Sequence, residues 1–286
     1  MRALITGAEG QLGRHLSATA PSGASVLAAG RAQCDISEPR SVAAILESFE
    51  PDVVFNTAAY TSVDAAEDNP DLAFEINARG PEILAGATAA RGSRLIHIST
   101  DYVFDGNSST PYPPEAPTHP LNVYGASKLE GERLASAAAP ATLIVRVGWL
   151  YSKTGKNFLS RMAAGTASGP QIKVVRDQIG CPTSAREFAL ALWRAAGAGM
   201  SGVYHWANLG ATTWYDFALE CDKVARELAL SGRARGEIVG VESAEFPSRA
   251  RRPRYSVLDP ARLAAALGIT PSLWTEALRA ELKREN

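Results

Sequence analysis

From residue 2 to about residue 150, short apolar runs alternate with stretches whose apolar positions recur every three or four residues, a pattern that predicts repeated βα units. Leu4-Ile5, Ser25 to Leu27, Asp52 to Phe55, Leu95 to Ile98 and Leu143 to Val147 read as strands. Gln11 to Ala20, Pro39 to Phe49, Asp71 to Ala90 and Val123 to Ala138 read as helices, several opened by Ser, Asp, Asn or Pro. Such units build a parallel sheet covered on both faces, and right-handed crossovers bring every strand's C-terminal end to one rim, where ligands bind. Gly7, Asn56, Ser99 and Gly148 each fall at such an end.

Beyond residue 150 the alternation loosens. Strand-like pieces at Ile172 to Val175, Gly202 to Trp206 and Glu237 to Val241 mix with helical patterns at Ser184 to Ala196, Trp214 to Leu230, Pro260 to Leu267 and Leu273 to Lys283. The expected organisation is an α/β chain: a doubly wound parallel sheet over residues 1–150 and a smaller α/β substrate lobe over 151–286, part of which can return to the sheet. The loop from Asp105 to Pro120, rich in Pro, Ser and Thr, is long enough to cover a site.

Composition narrows the function. The 286 residues are 46% hydrophobic and 21% charged, enough for a sizeable core, and the net charge of −1 offers no basic field for nucleic acid or an anionic membrane. No apolar run approaches the ~20 residues that span a bilayer, and no signal-like segment precedes the first strand, so a cytoplasmic protein is expected. Cys34, Cys181 and Cys221 are far apart and form no C-x-x-C; they read as small buried hydrophobes. His15, His97, His119 and His205 show no ligand spacing, which makes structural roles the simpler reading and leaves no metal site expected.

Three features carry chemistry. Arg2 to Thr6 runs into Gly7-Ala8-Glu9-Gly10-Gln11-Leu12-Gly13 and then a helix. This strand, glycine turn and helix suit a dinucleotide: Gly7 permits the turn, Gly10 clears space for a pyrophosphate at the helix N-terminus, and Gly13 lets helix and strand pack closely. The spacing G-x-x-G-x-x-G differs from the usual G-x-G-x-x-G, and an ordinary βα loop is the plain alternative. Arg31 closely follows the second strand, where a cation tolerates a 2′-phosphate, so NADPH is expected in preference to NADH, with NADH left open.

The second feature is Tyr124 and Lys128, one helical turn apart on the same face. A neighbouring ammonium favours phenolate, which makes the pair a proton donor with its tuner, although Tyr-x-x-x-Lys also occurs by chance on surface helices. The third is Ser99-Thr100 at the end of the fourth strand. A hydroxyl there can bind a carbonyl oxygen on the rim that receives Tyr124, or simply satisfy strand-end backbone. Together they describe carbonyl reduction: hydride from a nicotinamide, a proton from Tyr124, Lys128 tuning the phenol and holding the ribose, Thr100 positioning the oxygen.

In this order and spacing the motifs resemble the extended short-chain dehydrogenase/reductase family, with a Rossmann-type fold. Thr61 to Asp64, Ser99 to Gly106, Leu121 to Gly125 with Lys128, Arg146 to Tyr151, Asn157-Phe158, Asp177-Gln178 with Pro182-Thr183, and Arg252-Pro253 are similar to the dTDP-4-dehydrorhamnose reductase branch. The resemblance implies NADPH-dependent reduction of the C4 keto group of dTDP-4-dehydro-L-rhamnose, with Thr100, Tyr124 and Lys128 catalytic. It implies cofactor contacts at Gly10, Gln11, Leu12, Asp35, Ile36, Ala59, Tyr60 and Thr61. Sugar-nucleotide contacts are implied at Val63, Thr100, Asp101, Tyr102, Trp149 and Arg252. Trp149 is equally placed to be a core aromatic, and Arg249, Arg251, Arg252 and Arg254 to be a solvated charged face.

Some members of the branch dimerise through magnesium held by glutamates, one at the position of Arg186 here. An arginine cannot ligate a cation, so magnesium is not expected, and the chain is expected to be a monomer or a magnesium-independent dimer. Related 4,6-dehydratases place Asp-Glu after the threonine, where this chain has Asp101-Tyr102, which disfavours that reaction. Two readings stay open: a reductase giving the C4 epimer, dTDP-6-deoxy-L-talose, and a non-catalytic subunit like the β subunit of methionine adenosyltransferase.

Overall fold

The computed structural model describes residues 1–155, 157–163, 171–228 and 236–284. Its frame is a six-stranded parallel sheet made of β1 (Arg2–Thr6), β2 (Ser25–Ala29), β3 (Val53–Asn56), β4 (Arg94–Thr100), β5 (Leu143–Val147) and, from the C-terminal half, Gly202–Trp206. The order runs from Gly202–Trp206 through β5, β4, β3 and β1 to β2, and every pairing is parallel. The order reverses between β1 and β3, and a crevice at such a switch point is where doubly wound sheets bind nucleotides.

Alternation along each strand divides the core. Ile5, Phe55 and Val145 point to one face, where they meet Leu12 and Leu16 of α1 (Gln11–Ala18) and Phe188, Leu192 and Trp193 of the helix Ala185–Ala198. Leu4, Val54 and Leu95 point to the other. There they meet α2 (Pro39–Phe49), and beyond it α3 (Val63–Asp68), α4 (Pro70–Phe74), α5 (Gly80–Ala89) and α6 (Val123–Ala138) complete that face. A π-helical turn, Glu75–Arg79, joins α4 to α5 and packs against α6. Both faces are therefore dry, and strands without polar alternation are the expected result.

The C-terminal half builds a second, smaller core. After β6 (Leu150–Tyr151) and α7 (Phe158–Ala163) come β7 (Gln171–Val175), β8 (Ile179–Gly180), β9 (Thr183–Ser184) and α8, which is the helix Ala185–Ala198. The sheet strand Gly202–Trp206 is β10, followed by β11 (Thr212–Thr213), α9 (Trp214–Glu227), β12 (Glu237–Val241), α10 (Ala261–Leu267) and α11 (Trp274–Lys283). The parallel pair β7 and β12 packs with α7, α9 and α11 around Tyr151, Phe217, Cys221 and Leu278. The sequence pattern expected a helix over 214–230; α9 covers it to Glu227, and its last two positions lie outside the described residues. Cys34, Cys181 and Cys221 are buried free thiols, matching their reading as small hydrophobes. No helix among the described residues is long and apolar enough to cross a membrane.

The loop 105–120 is tied down. Tyr112 stacks on Phe104 with ring centroids 4.2 Å apart, its N–H donates to Val257 O at 2.8 Å, and Pro114 O accepts from the buried Arg146.

Candidate active site

Two clefts open on the C-terminal rim of the sheet. One, of about 790 Å³, runs from the turn after β1 across the ends of β3, β4 and β5; the other, of about 750 Å³, lies between that rim and the second core. Phe158, Trp214 and Tyr102 border both.

The turn after β1 shapes the first cleft. Gly7 adopts φ +66°, and a Cβ there would sit 2.6 Å from Ala58 Cα, so only glycine lets β1 turn past β3 at this level. Gly10 caps α1, leaving that helix's N-terminal N–H groups at the cleft. Gln11, Leu12, Arg31, Asp35, Ile36, Ala59, Tyr60 and Thr61 line the same space with Gly7 and Gly10. Gly13 does not. A Cβ on it would meet Ala8 Cα at 2.6 Å, so its place is behind the turn, where it lets α1 pack closely. Arg31 is exposed and pairs with Asp35 at 3.1 Å.

At the other end of this cleft stand Thr100, Tyr124 and Lys128. Asn122 caps α6 by accepting from Gly125 N–H at 2.8 Å, which starts the helix so that Tyr124 and Lys128 share a face. The Thr100 hydroxyl accepts from Tyr102 N–H at 3.2 Å and donates to Asp101 Oδ1 at 3.1 Å. Burial pushes the Tyr124 phenol up to about 12, a shift partly offset by its hydrogen bond with Thr100. That is opposite to the net lowering expected from Lys128. The physical reason is that burial outweighs the lysine, whose Nζ donates to Ile98 O at 2.6 Å and lies 3.4 Å from His97 Nε2; no hydrogen bond joins it to Tyr124 among the described residues. Burial brings Lys128 itself down to about 8, with Glu132 acting in the other direction. Ser99 is differently engaged. It also borders the cleft, but its hydroxyl is spent: it is buried beside the helix and donates to Glu132, whose carboxylate grips Arg146 at 2.7 and 2.9 Å.

Val63, Asp101, Tyr102 and Trp149 also line the first cleft. Asp101 is buried, its Oδ2 has no hydrogen-bond partner among the described residues, and burial raises its carboxyl to about 6. Trp149 is no core aromatic: it is half-buried at φ +48°, a left-handed conformation costly for a bulky side chain, and it stacks on Trp214 at 3.6 Å and 8°. Arg252 borders the second cleft with Arg251 and Arg254. It is more than a solvated charge, because its guanidinium grips Asp64 of α3 at 2.7 and 3.2 Å. Arg249 pairs with Asp68.

Four side chains hold this site in contacts that sequence reasoning did not assign. Thr6, Asn56 and His97 form a buried polar row behind Lys128. Asn77, in the π-helical turn, donates to Tyr60 O and Ser127 Oγ, both at 3.0 Å, and so ties the cofactor-side loop to α6. A polar residue inside each otherwise apolar strand was the available signal for the first three. No signal in the chain marks the π turn.

Comparison with known proteins agrees with this geometry. A family model described as the RmlD substrate binding domain matches residues 1–286. The chain belongs to this family. A dTDP-4-dehydrorhamnose reductase of Mycobacterium tuberculosis is 42% identical over 289 residues, covering 98% of this chain and 92% of the relative. One from Burkholderia thailandensis is 40% identical, covering 97% of each. Among solved structures, a dTDP-4-dehydrorhamnose reductase from Clostridium acetobutylicum superposes with a TM-score of 0.92 at 36% identity, covering 99% of this chain and 98% of its own. The Bacillus anthracis reductase in complex with NADP gives 0.91 at 33% identity, covering 98% of both chains. Membership of the RmlD family accounts for the Rossmann-type sheet and for the order of glycine turn, Thr100, Tyr124 and Lys128 along it.

Proposed function

We propose that the protein reduces the C4 keto group of dTDP-4-dehydro-L-rhamnose to give dTDP-L-rhamnose, with NADPH as reductant. The observation that supports this best is that Thr100 and Tyr124 face the same cleft as the Gly7 to Gly10 turn, so a proton donor and a dinucleotide cradle serve one space. The cleft fits the cofactor: the turn admits no side chain at Gly7, α1 presents its N-terminus, and Arg31 stands where a 2′-phosphate needs a cation. When bound, NADPH supplies the hydride for the carbonyl carbon.

The chain's own residues do the rest. Thr100 orients the carbonyl oxygen by donating its hydroxyl hydrogen, and Tyr124, held neutral by burial, gives its proton to that oxygen as negative charge develops. Lys128 holds the ribose and takes part in returning the proton to Tyr124. Val63, Asp101, Tyr102 and Trp149 bind the sugar, the stacked pair Trp149 and Trp214 giving it a rigid apolar wall, and Arg252 with its neighbours meets the diphosphate. The spans 1–150 and 151–286 serve mainly the dinucleotide and the sugar nucleotide respectively. We assign the protein to the cytoplasm, as a monomer or a dimer that needs no magnesium, with neither nucleic acid nor membrane as partner.

Loss of nicotinamide absorbance at 340 nm with freshly made keto sugar tests the reaction, and NMR of the product fixes the C4 configuration. An axial rather than equatorial configuration at C4, or no turnover with an intact fold, overturns the assignment.

A further inference from the structure

A buried polar row crosses three adjacent strands of the sheet. Thr6 of β1 is the register partner of Asn56 of β3, and Asn56 is the partner of His97 of β4; all three are fully buried. Thr6 Oγ1 donates to Asn56 Oδ1 at 2.9 Å, Asn56 Nδ2 lies 3.1 Å from His97 Nδ1, and His97 Nε2 lies 3.4 Å from Lys128 Nζ.

The pattern of donors fixes where the ring hydrogen sits. Ala58 N–H donates to Asn56 Oδ1 at 3.2 Å, and a backbone N–H has no second role to play. The amide oxygen of Asn56 therefore faces Ala58 and Thr6, and its NH₂ group faces His97. His97 Nδ1 must accept, which leaves the hydrogen of the neutral ring on Nε2, aimed at Lys128. The ring is neutral because burial, with Lys128 beside it, holds it well below its ordinary value. An N–H aimed at an amine lone pair is a hydrogen bond; aimed at an ammonium it is a repulsion. Ile98 O, which accepts from Lys128 Nζ at 2.6 Å, is served by an amine hydrogen as well as by an ammonium hydrogen. Glu132, one turn further along α6, favours the ammonium but spends its carboxylate on Arg146 of β5, and Tyr124, one turn back, is neutral.

We propose that His97 is a positioning residue for Lys128: held by Asn56 with its hydrogen on Nε2, it offers a donor to the lysine nitrogen and favours the neutral amine. Its consequence for turnover rests on the assignment of Lys128 to the reaction made above; the contact itself does not.

The experiment separates the two. In uniformly ¹⁵N-labelled full-length protein, the His97 nitrogen shifts should show hydrogen on Nε2, and a ring with its hydrogen on Nδ1 overturns the proposal before any variant is made. Titration of the Lys128 amine, its signal identified by its loss in Lys128→Arg, should move in His97→Phe toward at least about fivefold higher proton affinity, the worth of one buried hydrogen bond. Asn56→Asp should move it the same way by reversing the ring, since a carboxylate accepts from Nδ1–H and leaves Nε2 as an acceptor. A residue that merely fills space would alter melting temperature and leave both titrations in place, and that result overturns the proposal. Titrations that move while the pH profile of kcat stays fixed support the contact and count instead against Lys128 in the reaction.

Discussion

Arg252 closes on Asp64 across 188 residues of sequence, with Nη2 2.7 Å from Oδ2, and so joins the segment 248–252 to α3 beside the cofactor cleft. Asp64 also accepts from Ser248 Oγ and from the N–H groups of Arg249 and Ala250; Arg252 above all, with Ala250 N–H and Ser248 Oγ, holds its carboxyl well below the usual carboxylate range. One carboxylate thus organises the cationic segment proposed to meet the diphosphate. Because the folded state lowers its proton affinity, the tie is complete above the ordinary carboxylate range and is lost only in strong acid. Asp64→Asn should raise KM for the sugar nucleotide by about two- to fivefold and leave kcat nearly unchanged, since a partly exposed pair of this kind is worth up to about 1 kcal/mol. Steady-state kinetics with the substrate varied at saturating NADPH is the check, and an unchanged KM would show that the segment keeps its place without Asp64.

Tyr124→Phe deletes one hydroxyl from a buried ring and little volume. Loss of a general acid typically costs ~10²–10⁴-fold in rate, so kcat should fall by at least a hundredfold while NADPH affinity changes by less than about threefold. A loss below tenfold would pass the role of acid to another group, with the buried, partly protonated Asp101 the first to test.

Lys128 carries a stability signature distinct from catalysis. In the folded protein its ammonium loses its proton at about 8, against 10.5 when exposed. Below about pH 8 both states are protonated and burial of the charge destabilises the fold in full. Between pH 8 and 10.5 the unfolded chain binds one proton more than the folded one, so wild-type stability rises with pH across that window. Lys128→Met has no such group. Urea unfolding at pH 7 and pH 10 should show the wild type gaining on the variant at the higher pH, by at most about 3 kcal/mol. Parallel behaviour of the two proteins would mean that the buried amine is already neutral at pH 7.

Arg31 is exposed and, among the described residues, pairs with Asp35, so its substitution should spare the fold. Arg31→Ala should raise KM for NADPH about tenfold and leave that for NADH within twofold, because only the former places a phosphate near it. Equal effects on the two cofactors would make Arg31 a surface charge and shift the choice to another residue of the cleft.

The sheet was legible in the chain because its central strands are buried on both faces, and apolar runs such as Val53 to Phe55 have no other stable use. The cofactor turn and the Tyr124 and Lys128 pair were legible because local spacing alone fixes their geometry. What was not legible depends on register. Nothing in the sequence says that Thr6, Asn56 and His97 share a level, since β1, β3 and β4 are separated by whole helices. The same holds for Trp149 on Trp214, 65 positions apart, and for Asp64 with Arg252. The direction of the Tyr124 shift depends on tertiary packing in the same way: helical spacing brings Lys128 to the right face but does not disclose the burial that raises the phenol, or the carbonyl of Ile98 that accepts from Lys128.

Metal dependence follows from the charges around Arg186. This arginine stands near His15 and Arg284, each of whose proton affinity it lowers, and Arg186 Nη1 has no hydrogen-bond partner among the described residues. The nearby carboxylates are already engaged: Glu281 receives Lys153 N–H and lies 3.7 Å from Arg284, and Glu187 receives Asn208 Nδ2 at 2.6 Å. A divalent ion brought here would meet two guanidinium groups and would have to take its oxygen ligands from bonds that hold α8 and α11 in place. Activity should therefore be unchanged by EDTA, and light scattering should give one mass with and without the chelator. A dimer that dissociates on chelation would show that Glu187 or Glu281 turns outward to bind the ion and that Arg186 swings clear of it. Arg186→Glu adds the complementary arm: if charge alone excludes the metal, this single change should make the mass respond to magnesium.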